Sequence, residues 1–212
     1  VVDPDKFPGL AKFLAGLPAG LDSYPELKAK ASMYRNICDE RPIPAADLGT
    51  LPEVLVRLQD NPSPVSSWIP EVHSQAWMIA VYDRCFDDMD AFGAFTYRQG
   101  KALLEGPLYA IAFKIASPKL LLRSATLRWG AFHRGAGIEV SGTGRDFVDV
   151  LVQHPAGTYG AVVMRGICEG FRAALDICTG GGATFEVTDA SPTDTRVTLR
   201  WGERSRSPLT AP

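Results

Sequence analysis

The apolar positions of this chain change period twice in its last third, and the changes mark out a specific supersecondary unit. Gly137-Ile138-Glu139-Val140 alternates, Gly142-Thr143-Gly144-Arg145 supplies a tight turn, and Phe147-Val148-Asp149-Val150-Leu151-Val152 is a β-branched run, which together predict a hairpin. From Tyr159 the period lengthens. Val163, Ile167, Phe171, Ala174 and Cys178 recur at spacings of four and three, with Arg165, Glu169, Arg172 and Asp176 between them, as in an amphipathic helix. Gly180-Gly181-Gly182 stops that helix, because glycine adopts the left-handed conformation of a helix end and adds nothing to the apolar stripe. Thr184-Phe185-Glu186-Val187-Thr188, a turn from Ser191, and a strand carrying Val197, Leu199 and Trp201 predict a second hairpin. Four strands with one apolar face need a cover. The expected fold is therefore α+β: an N-terminal helical part packed on a four-stranded antiparallel sheet, with one helix inserted between the two hairpins.

Ahead of this unit the periodicity is helical. Phe7, Leu10, Phe13, Leu14 and Leu17 cluster on one side of a short helix over 5–17, and a second helix is expected from the Asp22-Ser23-Tyr24-Pro25-Glu26 start to about Asp39. Pro52 opens a third, to Leu58. Asn61-Pro62-Ser63-Pro64 is the strongest break, so an N-terminal helical segment is expected over 1–60 and an α+β ligand-binding-like domain over 65–202. In that domain a long helix begins at Ser67-Trp68-Ile69-Pro70-Glu71, and Asp87-Asp88-Met89-Asp90 ends it and caps the next, 91–104. Gly106-Pro107 and Ser117-Pro118 open two more, the last reaching Trp129 and Phe132. The Arg-, Ser- and Pro-rich tail, 203–212, is expected to be disordered.

Composition narrows the class. With 212 residues, 46% hydrophobic and 22% charged, the chain is long enough to bury a core. Its net charge of −2 gives no electrostatic ground for nucleic-acid binding. Cys38, Cys85, Cys168 and Cys178 show no CxxC pair and read as reduced thiols of a cytoplasmic protein. No stretch reads as a signal peptide, and no apolar run approaches the roughly 20 residues of a membrane span.

Several words of the sequence are familiar as a set: Trp68-Ile69-Pro70-Glu71-Val72, Gly106-Pro107-Leu108-Tyr109, Ala116-Ser117-Pro118, Arg128-Trp129 and Phe132-His133-Arg134-Gly135. In their order, followed by strand-strand-helix-strand-strand, the chain resembles an uncharacterised bacterial family. That family has the architecture of the superfamily grouping haem nitric-oxide-binding domains, 4-vinyl-reductase-type sensor domains and transport-protein-particle subunits. The resemblance implies a small-molecule sensor or an interaction domain, not a reaction. The Tyr-x-Ser-x-Arg signature with which the haem branch holds the propionates does not occur here. The paired cysteines of the 4-vinyl-reductase branch are also incomplete, since Cys178 has only Ala183 and Thr184 where a partner would fall.

His133 is the most suggestive single residue. Expected at the end of a helix and followed by Arg134 and Gly135, it suits metal ligation, anion binding with Arg134, or acid-base work; its alternative is an interaction with the last carbonyls of its own helix. His73 and His154 are distant in sequence and no HExxH occurs, so no metal site is expected. The apolar segments over 91–116 either fill a core or line a pocket. In the pocket reading Trp77, Tyr109, Phe113 and Trp129 are the lining residues, with His133 and Arg134 at the mouth. Gly142-Thr143-Gly144 and Gly180-Gly181-Gly182 match no phosphate loop, and no GxSxG elbow is present.

Three functional readings follow. The first is a non-enzymatic sensor or signalling domain holding an apolar small molecule between helices and sheet, often as a homodimer. The second is a tethering-type adaptor with a filled core that binds a protein partner. The third, with least support, is an enzyme on a modified scaffold. The residues identify no cofactor.

Overall fold

A computed structural model describes residues 2–107, 109–111 and 117–202. Its larger sheet is the predicted one. Strands β4 (Gly137–Thr143), β5 (Phe147–Gln153), β6 (Thr184–Ala190) and β7 (Asp194–Arg200) lie in the order β4-β5-β7-β6, all antiparallel, with Val148 opposite Leu199 and Val150 opposite Val197. Both outer strands carry a register shift, β4 between Val140 and Gly142 and β6 between Val187 and Asp189. The connecting helix, here α9, spans Ala161–Thr179 and ends at Gly180, whose φ of +89° is the left-handed cap that the glycine run predicts.

The first half contains helices α1 (Pro8–Ala15), α2 (Ser32–Glu40), α3 (Ala45–Leu48), α4 (Glu53–Asp60), α5 (Glu71–Cys85) and α6 (Met89–Glu105). Two shorter helices, α7 (Pro118–Arg123) and α8 (Ala125–Gly130), follow. The Asp cluster caps as expected, with Ala91 N–H donating to Asp88 Oδ1 at 2.7 Å. One helix takes its cap from a distant element. No side chain of its own caps α1, and instead Leu10 N–H donates to Asp83 Oδ2 of α5 at 2.9 Å. Asp83→Ala removes that acceptor, and a loss of about 1–2 kcal/mol in urea unfolding is expected, with α1 fraying first in hydrogen exchange.

Three helical expectations need correction, all for one reason. The helix expected over 22–39 is replaced at its start by strand β1 (Lys28–Lys30); the one expected from Ser67 begins instead as strand β2 (Trp68–Pro70); and the one expected to reach Phe132 breaks at Ser124 and gives way to strand β3 (His133–Arg134). These three short strands form a second antiparallel sheet in the order β2-β1-β3. Ala29 pairs with Ile69 on one side and with His133 on the other. Gly135 makes the sheet possible, because at its φ of +83° a Cβ would lie 3.0 Å from Glu26 O and Leu27 Cα.

A continuous core runs from Phe7 through Trp77 and Phe95 to Val197 and Leu199. Helix α9 meets it with two faces. Val163, Ile167, Phe171 and Ala174 turn toward the larger sheet. On the other side wholly buried Glu169 pairs with Arg165 Nε at 2.9 Å and Arg172 Nε at 2.8 Å, and Tyr97 of α6 donates to Asp176 at 2.7 Å. The helix is thus tied to α6 by the Tyr97–Asp176 hydrogen bond and by Arg165 with Asp90 at 3.3 Å, balances Glu169 within itself, and is left apolar toward the strands.

Candidate functional site

Between α2, α5, α6, α8, α9 and the larger sheet lies a cavity of about 270 Å³. Its sheet wall is Ile138, Val140, Val148, Val150 and Leu199. Its α9 wall is Val163, Gly166, Ile167, Gly170, Phe171, Ala174 and Leu175. The stripe that the sequence marks as buried is therefore largely a wall. Gly170 opens it further, since a Cβ built there would touch no atom within 4 Å.

One end of the cavity is polar, and it is built where the smaller sheet meets α5. Pro70 keeps the backbone extended up to the helix start, so β2 runs straight into α5 and Glu71 falls in its first turn, where the helix dipole favours negative charge. Strand alternation on β3 turns His133 inward and Arg134 outward. The imidazole stacks on the Trp129 indole with centroids 3.8 Å apart and planes 13° apart, and that indole is itself fixed by its N–H to Ala136 O at 3.0 Å. Tyr159, just ahead of α9, closes the group, and its ring stacks on His154 at 4.7 Å.

Glu71 is the hub. Its Oε1 lies 2.6 Å from the Tyr159 hydroxyl, 3.2 Å from Gln75 Nε2 and 3.0 Å from His133 Nδ1; its Oε2 lies 3.1 Å from the same ring nitrogen. Tyr159 and Gln75 both donate to Oε1, and in the tautomer that carries its proton on Nδ1 the imidazole is a third donor to the same carboxylate. Nε2 has no hydrogen-bond partner among the described residues and is a lone-pair acceptor while the ring is neutral. Burial, followed by the charge of Glu71 and its hydrogen bond, pushes the Tyr159 phenol well above its ordinary range, which keeps it a donor. All three side chains are at least 95% buried, with Glu71 at 2% exposure and Tyr159 and His133 at 5%.

Of the residues singled out in the sequence, His133 and Trp129 line the cavity together. Tyr109 stands behind the wall, its ring 4.9 Å from Phe132, which does line it. Trp77 is wholly buried in the core, edge-on to Tyr34, and does not line the cavity. Arg134 points to the opposite side of the sheet, its guanidinium 4.0 Å over the Trp68 ring. Phe113 lies outside the described residues, as does the tail from 203. The alternative for His133, contact with the carbonyls of its own helix, does not hold, because the residue is in a strand.

Glu71, Gln75 and Tyr159 are the residues that sequence reasoning misses. The signal for the first two is a carboxylate and an amide four residues apart within the stripe that also carries Val72, Ala76 and Ile79. Acidic side chains on a buried face are paired when they occur, and the partner is what remains to be found. The cysteines carry none of this chemistry. None is in a disulfide among the described residues, and burial pushes Cys38 and Cys168 up to about 12. No group of side chains suited to a metal ion occurs among the described residues, and no described helix is long and apolar enough to cross a membrane.

No protein-family model matches this chain, and no curated protein matches it in sequence. A solved structure reported for the modulation of haem redox potential through protein-induced porphyrin distortion is similar in fold, with a TM-score of 0.53 and 7% identity over 81% of this chain and 97% of that one. At this identity the likeness is one of fold alone.

Proposed function

We propose that this chain is a non-enzymatic small-molecule-binding domain of the sensor kind, which holds an apolar ligand between its helices and its larger sheet. The observation that carries the reading is the cavity itself: an apolar space of about 270 Å³ in an otherwise filled core, with one polar end held rigid by a buried hydrogen-bonded group. An adaptor with a filled core has no use for such a space, which leaves wall atoms without packing partners. Catalysis is less well supported. His133 and Glu71 resemble an acid-base pair, but neither a hydroxyl nor a thiol nucleophile is bonded to the imidazole Nε2 among the described residues.

The fold neighbour's haem is a poor fit to these walls. A porphyrin with two propionates asks for cations where the described lining has only Arg128, whose Nε already donates to Ser124 Oγ. At about 270 Å³ the space suits a small molecule with a short apolar body.

Gly170→Leu tests the reading. The Cβ of the new side chain meets no atom within 4 Å, and exchanging a mid-helix glycine adds about 1 kcal/mol of helix propensity. Thermal unfolding is expected at the same or a higher temperature, while uptake of small apolar probes such as 1-octanol, followed by calorimetry, falls at least tenfold. Unchanged uptake in a folded Gly170→Leu variant sinks the proposal.

A further inference from the structure

The polar end of the cavity is incompletely satisfied. Gln75 Oε1 and Ser32 Oγ belong to side chains that line the cavity, are 2% and 4% exposed, and have no hydrogen-bond partner among the described residues. A buried polar atom left unpaired is costly and therefore uncommon, and two among the residues lining one cavity call for a partner. The amide of Gln75 is not interchangeable. Its Nε2 donates to Glu71 Oε1, and swapping the two amide atoms would set a carbonyl oxygen against an ionised carboxylate. The unmatched Gln75 atom is thus an acceptor. Beside it stands an unmatched group able to donate as well as accept, the Ser32 hydroxyl.

We infer, on the reading of the cavity as a ligand site, that its ligand is a neutral amphiphile: a short apolar body ending in one hydrogen-bond-donating head, a hydroxyl or primary amide. The head donates to Gln75 Oε1, and the Ser32 hydroxyl is the other unpaired polar group of the lining. A carboxylate head is repelled, because it brings a second negative charge beside Glu71 and offers no proton to Gln75. An ammonium head gains little, because three donors already balance Glu71 and the cation loses its water on entering a site this buried. A hydrocarbon or ether fills the space and leaves Gln75 Oε1 unpaired.

The test uses four probes of similar size titrated calorimetrically into the full chain: 1-octanol, its isomer 1-methoxyheptane, octanoate and octylamine. 1-Octanol is expected to bind about tenfold more tightly than its isomer, with the two ions weaker still. In Gln75→Met, of similar shape without the acceptor, the gap between the two isomers closes while circular dichroism stays unchanged. Should that variant fail to fold, Ser32→Ala is read in its place, with the gap narrowing about threefold. Equal affinity for the two isomers overturns the head-group assignment while leaving the cavity reading in place. Tighter binding of octanoate or octylamine overturns it as well. If none of the four binds, the cavity reading falls and takes this inference with it.

Discussion

Replacing Glu71 with alanine is expected to destabilise the protein by about 3–5 kcal/mol, read as a lower urea midpoint at unchanged slope. Three donors now end on Glu71, from His133, Tyr159 and Gln75, and none has another carboxylate within reach among the described residues. Truncation leaves Gln75 Nε2 without its acceptor and Tyr159 and His133 with only their own long contact of 3.5 Å, which costs more than the loss of a favourable contact alone. Glu71→Gln is the informative companion. It keeps the shape and one carbonyl oxygen but sets an amide N–H₂ toward His133, so the ring is expected to move its proton from Nδ1 to Nε2. Stability then falls by less than in Glu71→Ala, and nitrogen chemical shifts of the imidazole report the exchanged tautomer. If Glu71→Ala unfolds at the wild-type midpoint, the carboxylate is not the hub of this buried group.

Trp77→Ala is expected to cost a comparable amount, about 3–5 kcal/mol in the same unfolding experiment, for a different reason. Trp77 is among the largest wholly buried side chains, and its removal opens a void beside Tyr34 that the surrounding helices cannot close. Its indole N–H has no partner among the described residues, so Trp77→Phe gives up volume without giving up a hydrogen bond and is expected to lose much less. Probe affinity in folded Trp77→Phe stays at the wild-type value, because the residue packs the core and does not line the cavity. An indole that proves dispensable as alanine would place the centre of the core elsewhere.

The contrast between Trp77 and His133 indicates how far the sequence is readable. Elements of seven residues or more declare themselves through periodicity: the alternation in Val148, Val150 and Val152, and the three-and-four spacing from Val163 to Ala174, are long enough to be told apart. Strands of two or three residues are not. Lys28–Lys30 cannot display a period of two, and Trp68–Pro70 runs without a break into a helix whose pattern absorbs it. The candidate site inherits that limit. His133 is visible as a residue, but its environment depends on pairing with Ala29 and on Glu71, 62 positions away, which no local pattern encodes. Trp77 and Trp129 look alike in sequence, and only the packing of α5 and α8 sends one into the core and the other to the cavity wall.

The register shifts in the two outer strands of the larger sheet bear on what the molecule does in a crowded solution. An uninterrupted border of free amide and carbonyl groups is a template on which another chain can lay a strand, the first step toward open-ended aggregates. Here β4 loses its regular spacing beside Gly142 and β6 loses it beside Asp189, so an incoming strand meets a kink on one side and a kink with a negative charge on the other. Both irregularities disfavour growth by edge-to-edge addition, even though β6 is among the most exposed elements of the fold.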